Sequence, residues 1–284
     1  MTLASYTHAL RIPFAAPDCV ANWVELSNVL RAFAGESLAF SLRGNNWLRV
    51  FCAKGTADVK CSEGRVETLG REDVDVFGTP FGEVPWRDVL KTVAPFASVD
   101  SRRPISSVAF DGNSVRASDG VHAVDYWIDS PAPLPFAMPL ATVQAVLPLL
   151  EIGPAKYVAT DGKTILFDFG NGIAFVSRLQ SAAFPDLSSV FEADRSLLCA
   201  KGDLGEALKL SRKIGGLNIK LEGLGCVQSE TAAVTTTCRA VFTRVHSSVR
   251  LQPIVAVCDE LCEQSDGSIY FEGPCFRGKV AGST

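Results

Sequence analysis

Residues 103–128 read RPISSVAFDGNSVRASDGVHAVDYWI, and residues 177–191 read SRLQSAAFPDLSSVF. In the first stretch, short β-rich runs are interrupted by the turn sequences FDGN (110–113) and SDG (118–120). Asp-Gly and Gly-Asn pairs favour tight reversals, because glycine and asparagine tolerate the positive φ angles that hairpin turns require. The first stretch therefore predicts antiparallel strands joined by hairpins.

The same combination of a helix and short strands recurs along the chain. Five segments place apolar residues at the i, i+3 and i+4 spacing of an amphipathic helix: residues 17–33, 84–96, 138–150, 203–214 and 252–264. Each is followed by a β-rich run that ends near a glycine or asparagine turn, namely SLAFSLRGN, ISSVAFDGN, TILFDFGNG, LNIKLEG and SIYFEG. The pattern predicts the α+β class, with helices packed on one face of antiparallel sheets.

Two breaks divide the chain. GTPFG (78–82) and the charged stretch 192–195 each precede a new helical segment. The 284 residues are enough for two or three compact domains with a buried core. We therefore predict three segments, 1–80, 81–192 and 193–284.

The sequence restricts the cellular compartments in which we expect the protein. The chain lacks an apolar run of about 18 residues, so we expect no membrane-spanning helix. His8 and Arg11 interrupt the apolar N-terminal stretch, which argues against a secretory signal and favours a cytoplasmic protein. Nine cysteines without a CxxC pair argue against a secreted disulfide framework and predict buried thiols.

The middle segment resembles one family, the bacterial DNA polymerase III β sliding clamps. VPWRDVLKTVAPFASVDSRRPISSVAF (84–110) is similar to the helix and RPI strand that open that family's middle domain. SDGVHAV (118–124) stands where the family has a TDGHRLA turn, and FAMPLATVQAVLPLL (136–150) is similar to its second helix. FVSRLQSAAFPDLSSVF (175–191) resembles the SRLxxGxFPDYxxV signature that closes the domain. Agreement outside this middle segment is weaker.

This resemblance implies a DNA clamp with the processivity fold, in which repeated helix-plus-strand units form a ring with helices inside and sheets outside. Such a ring encircles double-stranded DNA, and a DNA polymerase and clamp loader bind it through short peptide motifs. We therefore expect a sliding clamp and processivity factor. Its compressed size favours a shortened member encoded by a phage or another mobile element.

Basic side chains opposite the apolar helix faces are the candidate DNA contacts. Phosphate contacts are electrostatic and independent of sequence, so a local basic stripe suffices even in a chain of net charge −4. Arg87 and Lys91 lie opposite the apolar face of segment 84–96, and further basic residues do so in segment 203–214. The full predicted set is Arg87, Lys91, Arg102, Arg103, Lys209, Arg212 and Lys213.

The resemblance also implies a peptide-binding pocket between the middle and last domains. The matching residues are Ser106, Ser118, Gly120, Val121, His122, Ala123 and Glu192. Three of them depart from the family: Ser106 replaces a leucine, Ala123 a large apolar residue and Glu192 a proline. Because buried apolar anchors supply most of the affinity in such pockets, we expect weak binding of a leucine-phenylalanine peptide and an altered peptide specificity.

The number of predicted helices does not determine how many chains form the ring. The family's ring uses twelve inner helices, two from each of six domains, and two chains with the five predicted segments do not supply them. A head-to-tail dimer with a cut-down first segment is favoured, a trimer is an alternative, and a ring that does not close is a third. Closed symmetry requires an edge of the first segment to meet an edge of the last.

Two other function classes remain. A clamp-like protein that binds replication proteins without encircling DNA is favoured by the depleted pocket and by Asp259, Glu260 and Glu263, predicted to face outward on the helix 252–264. An enzyme is disfavoured, because the sequence has neither a nucleophile elbow nor a phosphate-binding loop. The Asp-Gly pairs are interpreted as turns and not as metal ligands, and no cofactor is expected.

Overall fold

The computed structural model describes residues 2–4, 8–11, 19–21, 23–44, 46–63, 79–170, 173–181, 183–200, 204–205, 208–209, 218–222, 226–228, 233–235 and 246–282. The chain forms two compact units. The first unit comprises Met1–Pro80 and Gly153–Arg178, and the second comprises Phe81–Ile152 and Leu179–Thr284. Every helix in the described residues is too short or too polar to span a membrane.

In the part of the chain that the structure describes, the continuous helices are α1 (Trp23–Ala32), α2 (Trp86–Val93), α3 (Leu140–Ile152) and α4 (Ser248–Val255). The strands up to the middle of the chain are β1 (Thr2–Ala4), β2 (His8–Arg11), β3 (Cys19–Ala21), β4 (Ala39–Arg43), β5 (Trp47–Cys52), β6 (Gly55–Glu63), β7 (Thr79–Pro80), β8 (Ser107–Asp111), β9 (Ser114–Ser118), β10 (His122–Trp127) and β11 (Phe136–Pro139). They continue as β12 (Tyr157–Thr160), β13 (Thr164–Gly170), β14 (Ile173–Arg178), β15 (Cys199–Ala200), β16 (Asn218–Glu222), β17 (Cys226–Gln228), β18 (Ala233–Thr235), β19 (His246–Ser247), β20 (Glu260–Glu263), β21 (Ile269–Gly273) and β22 (Phe276–Val280).

The first unit contains two antiparallel sheets. One has the strand order β1-β2-β14-β13-β12-β7, and the other has the order β3-β6-β5-β4. Helix α1 packs against β6, and the apolar core of the smaller sheet contains Leu26, Leu48, Val50 and Val59. Strand β4 stands last in the second strand order and is therefore an edge of its sheet.

The second unit is built on an eight-stranded antiparallel sheet with the order β11-β8-β9-β10-β22-β21-β20-β15. The pairing of β10 with β22 joins strands from the predicted segments 81–192 and 193–284. A four-stranded sheet, β18-β17-β16-β19, belongs to the same unit. Because neighbouring segments share a sheet, the compact units do not follow the three-segment division, which stays a prediction.

Helix α2 shows how the sequence sets the packing. Its residues at helical spacing, Trp86, Val89, Leu90 and Val93, are all buried, as the amphipathic pattern predicts. The α-helix gives way to a 3₁₀ turn at Ala94–Phe96, where Pro95 supplies no backbone N–H for a further helical hydrogen bond. Helix α2 packs against α3 and lies over the large sheet.

Most of the predicted elements are confirmed. Segments 17–33, 84–96 and 138–150 contain α1, α2 and α3, and the five β-rich runs contain β4, β8, β13, β16 and β21. In segment 203–214 only residues 204–205 and 208–209 are described, and they are helical. Among the described thiols Cys61, Cys258 and Cys262 are buried as predicted, whereas Cys275 is exposed.

The predicted helix 252–264 is wrong. The helix lies earlier, at Ser248–Val255, and Glu260–Glu263 forms β20, which pairs with β21. The four-residue spacing of buried Cys258 and Cys262 imitates helical periodicity, but Gly267, with φ +79°, lets the chain reverse into a hairpin. Asp259, Glu260 and Glu263 therefore do not form an acidic helix face.

Phe110 provides a test of the core of the second unit. It is 1% exposed, and its ring centroid lies 4.6 Å from that of Phe136 and 5.5 Å from that of Trp86. Phe110→Ala leaves a cavity and should lower the free energy of unfolding by about 3–5 kcal/mol in chemical denaturation. Leu197→Ala, at a residue that is 53% exposed, is the control and should change it by less than about 0.5 kcal/mol. Equal effects of the two substitutions would contradict the packing.

Candidate functional site

The turn between β9 and β10 is held by side-chain hydrogen bonds. Ser118 Oγ donates to the carbonyl of His122 at 2.7 Å and accepts from the amide of Gly120 at 3.1 Å. Asp119 Oδ1 accepts from the amides of Val121 at 2.8 Å and His122 at 2.7 Å. Gly120 has φ +90°, a conformation that residues with a side chain rarely adopt. The turn is therefore fixed locally.

His122 connects this turn to a distant helix. Its ring is buried, with Nδ1 2.9 Å from Asp119 Oδ2 and Nε2 2.7 Å from the carbonyl oxygen of Arg250 in α4. Both partners accept hydrogen bonds, so both ring nitrogens donate when the imidazole is protonated. Burial alone lowers the pKa of His122, but the hydrogen bonds with Asp119 and the Arg250 carbonyl outweigh it and raise the pKa above the ordinary histidine value.

The Asp119 carboxylate is stabilised in its charged form. Partial burial pushes its pKa upward, but the hydrogen bonds from the His122 ring and from the amides of His122 and Val121 are stronger together. They hold the pKa of Asp119 below the usual carboxyl range. A second contact secures the turn from the C-terminal side, where the amide of Ala281 donates to the carbonyl of Val121 at 2.7 Å.

The first unit contains the same turn without the histidine. Thr160 Oγ1 donates to the carbonyl of Thr164 at 2.7 Å, and Asp161 Oδ1 accepts from the amides of Lys163 and Thr164 at 2.8 and 2.6 Å. Gly162 has φ +81°. The aspartates of both turns thus bind backbone amides, and the feature peculiar to the β9–β10 turn is the ring of His122.

The predicted pocket residues lie on both faces of the large sheet. Residues paired across antiparallel strands point to the same face, and neighbours along a strand point to opposite faces. Ala123 pairs with Ser118 and with Lys279, so it points away from the face that carries His122. Glu192 lies near Ala123, because its carbonyl accepts from Lys279 Nζ at 3.2 Å.

The remaining predicted pocket residues surround the β9–β10 turn. The amide of Ser98 lies within hydrogen-bonding distance of the carbonyls of Ile105 and Ser118, at 3.0 and 3.1 Å, which places the RPI segment beside the turn. Ser106 is buried, and its Oγ donates to the carbonyl of Arg103 at 2.8 Å. Gly120 is exposed and Val121 half-buried, so these two residues form the accessible part of the site.

The segment that carries FPDLSSVF covers Ala123. Leu187 and Phe191 pack against it, with Phe184 and Val190 at the margin, and only 4% of Ala123 is exposed. In this arrangement the chain's own aromatic and aliphatic side chains occupy the space beside Ala123. An apolar ligand therefore does not reach this residue.

Sequence reasoning did not identify a row of charged residues across the same face of the sheet. Asp125 is buried and pairs in register with Arg116 and Arg277. Arg277 Nη2 lies 3.1 Å from Asp125 Oδ2, and its guanidinium carbon lies 5.3 and 5.1 Å from the ring centroids of Trp127 and Phe191. The hairpin register brings Arg116 opposite Asp125, but Arg277 is 152 residues away along the chain and depends on the β10–β22 pairing.

The predicted DNA-binding residues that the structure describes lie on helix α2, in the loop before β8 and at the helical residues 208–209. Arg87 and Lys91 are exposed and four apart on α2, with exposed Asp88 between them in sequence. Lys209 is exposed on the helical residues 208–209. Arg212 and Lys213 lie outside the described residues.

Arg102 and Arg103 lie in the loop before β8 and share one carboxylate. Arg102 donates to both oxygens of Asp100 at 2.9 and 3.1 Å, whereas Arg103 Nε lies 3.7 Å from Asp100 Oδ2. The hydrogen bonds from Arg102 hold the pKa of Asp100 below its usual range. In the described part of the chain, no three His, Cys, Asp or Glu side chains form a group that would hold a metal ion.

Sequence comparison finds no match, either to a family model or to a curated protein. Solved structures of bacterial β clamps share the fold over the whole chain. The DNA polymerase III subunit beta of Borrelia burgdorferi, in complex with a natural product, has a TM-score of 0.77 at 10% identity, covering 100% of this chain and 88% of its own. A sliding clamp of Bartonella birtlesii bound to griselimycin has a TM-score of 0.75 at 15% identity, with 100% and 87% covered.

The Helicobacter pylori β clamp bound to a DNA ligase peptide has a TM-score of 0.71 at 11% identity, covering 100% of this chain and 88% of its own. The likeness at this low identity is one of fold. This chain therefore has the α+β sliding-clamp fold, as the sequence resemblance predicts.

Asp119→Asn tests the His122 contacts. The substitution removes the carboxylate partner and should lower the pKa of His122, followed by NMR titration of its ring protons, and should destabilise the protein by about 1–2 kcal/mol. Asp161→Asn in the equivalent turn of the first unit is the matched control. It should leave the pKa of His122 unchanged, and an equal shift in both variants would contradict the assignment.

The same contacts predict a pH dependence of stability. Because the pKa of His122 is raised, its stabilising effect is complete below the ordinary histidine value and is lost as the pH rises through the raised one. Because the pKa of Asp119 is lowered, its effect is present above the ordinary carboxyl range and is lost as the pH falls through the lowered value. Between these limits Asp119→Asn should show its largest loss in denaturation experiments.

Proposed function

We propose that this protein is a DNA sliding clamp, a non-enzymatic processivity factor that encircles duplex DNA and tethers replication proteins. The observation that carries the proposal is the fold, which bacterial sliding clamps share over the whole of this chain. A fold alone does not define a function. The residues must therefore supply a surface for phosphates and a site for partners.

Helix α2 supplies a suitable DNA surface. Its apolar face is buried, and Arg87 and Lys91 are exposed without an ion pair to any described carboxylate. Two lysine or arginine side chains four apart on a helix contact successive phosphates without reading sequence, which suits a protein that slides. The corrected position of α4 also removes the acidic helix face that would repel DNA, because Glu263 instead contacts His246 at 2.7 Å.

The partner site of the proposed clamp lies at the β9–β10 turn. A β clamp of the same fold binds a DNA ligase peptide. In this chain the exposed Gly120 and the half-buried Val121 are the residues of the turn that a peptide from a polymerase or clamp loader would meet. Ser106, Ser118 and His122 lie behind them and orient the turn through hydrogen bonds.

The proposed ring is a homo-oligomer, with a head-to-tail dimer favoured over a trimer. Strand β4 is an edge of its sheet, and Leu42, Trp47 and Phe51 on β4 and β5 are 38%, 45% and 37% exposed. An apolar edge strand is a ready site for pairing with another chain. A heterologous contact at this edge closes a ring only if the rotation between chains allows it.

A clamp-like interaction protein that does not encircle DNA is the second candidate. One observation favours it: Arg102 donates two short hydrogen bonds to Asp100, so this predicted DNA contact is partly neutralised within the protein. This candidate binds replication proteins at the turn but makes no topological link to DNA. The two candidates therefore differ in their response to blocked DNA ends.

Threading onto DNA with a blockable end tests the function. A duplex is fixed to a bead at one end, the protein is added, and the free end is capped before a high-salt wash. The protein should stay bound and should be released when the duplex is cut. Charge reversal of Arg87 and Lys91 to Glu should lower the retained amount about tenfold, because threading depends on attraction to phosphates.

The matched control reverses two exposed lysines that lie outside the helices, Lys60 and Lys163, and should retain the wild-type amount. Protein that washes off whether or not the end is capped would contradict encirclement and favour the second candidate.

Leu42→Arg tests the assembly edge. A charge at this exposed apolar residue should weaken the contact between chains and shift the native mass from two or three chains toward one. Leu197→Arg, at an equally apolar residue that is 53% exposed in the second unit, is the control and should keep the wild-type mass. A wild-type chain that is monomeric at working concentration would contradict the proposed assembly.

A further inference from the structure

Two arginines lie beside the exposed residues of the β9–β10 turn. We propose that this turn binds an acidic peptide whose carboxylates contact Arg103 and Arg250, in preference to a neutral peptide with leucine and phenylalanine anchors. The location of the site rests on the proposed function. The chemistry of its ligand follows from the residues around Gly120 and Val121.

Arg103 reaches the turn from the loop that precedes β8. Its Nη1 lies 3.9 Å from the point that a Cβ atom on Gly120 would occupy, and Ile105 Cδ1 lies 3.8 Å from the same point. The Arg103 side chain is 60% exposed, and its contact with Asp100 is long at 3.7 Å. Since Asp100 makes its two short hydrogen bonds with Arg102, the guanidinium of Arg103 is available to bind a carboxylate of a ligand.

Arg250 reaches the same turn from α4. Its Nη1 lies 3.5 Å from the carbonyl oxygen of Ala281, whose amide donates to the carbonyl of Val121 at 2.7 Å. None of the described carboxylates forms an ion pair with its guanidinium. The backbone carbonyl of Arg250 accepts from His122, so the contact that fixes the turn also fixes the helix carrying this charge.

The carboxylate within the turn, that of Asp119, is already occupied. Asp119 accepts hydrogen bonds from two backbone amides and contacts the His122 ring. Glu192 lies near Ala123 and Lys279, which point to the opposite face of the sheet from His122. The accessible rim therefore carries an excess of positive charge, and planar guanidinium groups bind carboxylates through paired hydrogen bonds.

The apolar surface at the turn is small. Ile105 and Val121 are half-buried, and Val249, beside Arg250 on α4, is 65% exposed. Ala123 is covered by Phe191, and the buried positions behind the turn hold Ser106 and Ser118. This surface accommodates one aliphatic side chain of moderate size. It does not bury the two large anchors of a leucine-phenylalanine peptide.

Fluorescence anisotropy with the full-length protein and three blocked heptapeptides tests the proposal. The first peptide has two aspartates flanking one leucine, the second has asparagines in place of the aspartates, and the third carries adjacent leucine and phenylalanine without charge. The acidic peptide should bind about tenfold more tightly than either neutral peptide at low salt, and the difference should shrink as salt screens the charges. Equal or tighter binding of a neutral peptide overturns the proposal.

Substitutions test which arginines contact the acidic peptide. Arg103→Gln and Arg250→Gln should each weaken binding of the acidic peptide about threefold to tenfold and leave the asparagine peptide unchanged. Lys163→Gln, at an exposed cation in the equivalent turn of the first unit, is the matched control and should have less than a twofold effect. A loss in Lys163→Gln as large as in Arg103→Gln would show general attraction and overturn the proposal. If a variant does not fold, the comparison of peptides on the wild-type protein still decides.

The failure of this proposal is distinguishable from failure of the clamp function. Retention on end-capped DNA measures encirclement and does not involve the turn. A protein that is retained on DNA but binds acidic and neutral peptides equally keeps the proposed function and loses this specificity. A protein that is not retained loses the function, and selective binding of the acidic peptide then identifies the turn as an interaction site of the second candidate.

Discussion

The antiparallel pairing of β10 with β22 is the constraint on which the second unit depends. It aligns His122 with Val280 at one end and Tyr126 with Phe276 at the other, and so joins stretches about 150 residues apart along the chain. Closing so long a connection costs conformational entropy, which the buried residues and the ladder hydrogen bonds must offset. His122 reinforces the pairing at its end, because its ring also binds the backbone of α4.

Local features of the fold were predictable from the sequence, whereas the long-range pairings were not. The Asp-Gly turns and the apolar face of α2 depend on residues a few positions apart, and the structure reproduces both. The Arg277–Asp125 contact and the Arg250–His122 contact join distant segments, and no local pattern in a single sequence encodes them. The mistaken helix at 252–264 has the same origin, since pairing of β20 with β21 overrode a helical spacing of apolar residues.

The candidate site likewise has a part that the local sequence encodes and a part that depends on the tertiary fold. Resemblance to the clamp family indicated the β9–β10 turn as a candidate site, because the serine, aspartate and glycine that shape its backbone are neighbours in the sequence. It did not show that Ala123 is covered by Phe191 or that Arg250 contacts the carbonyl of Ala281, since both depend on the tertiary fold. The same turn occurs in the first unit with Thr164 in place of His122, which indicates that this backbone conformation stabilises the fold. The proposed partner chemistry depends instead on the side chains around it.

The net charge of −4 and the proposed grip on DNA are compatible because charge acts locally at phosphates. Extension of a primer on circular single-stranded DNA by the cognate polymerase, with and without the clamp loader, measures whether the protein acts as a processivity factor. If it does, this protein lengthens the products only when the loader and ATP are present. Product lengths that do not change with the complete set of partners would contradict this role.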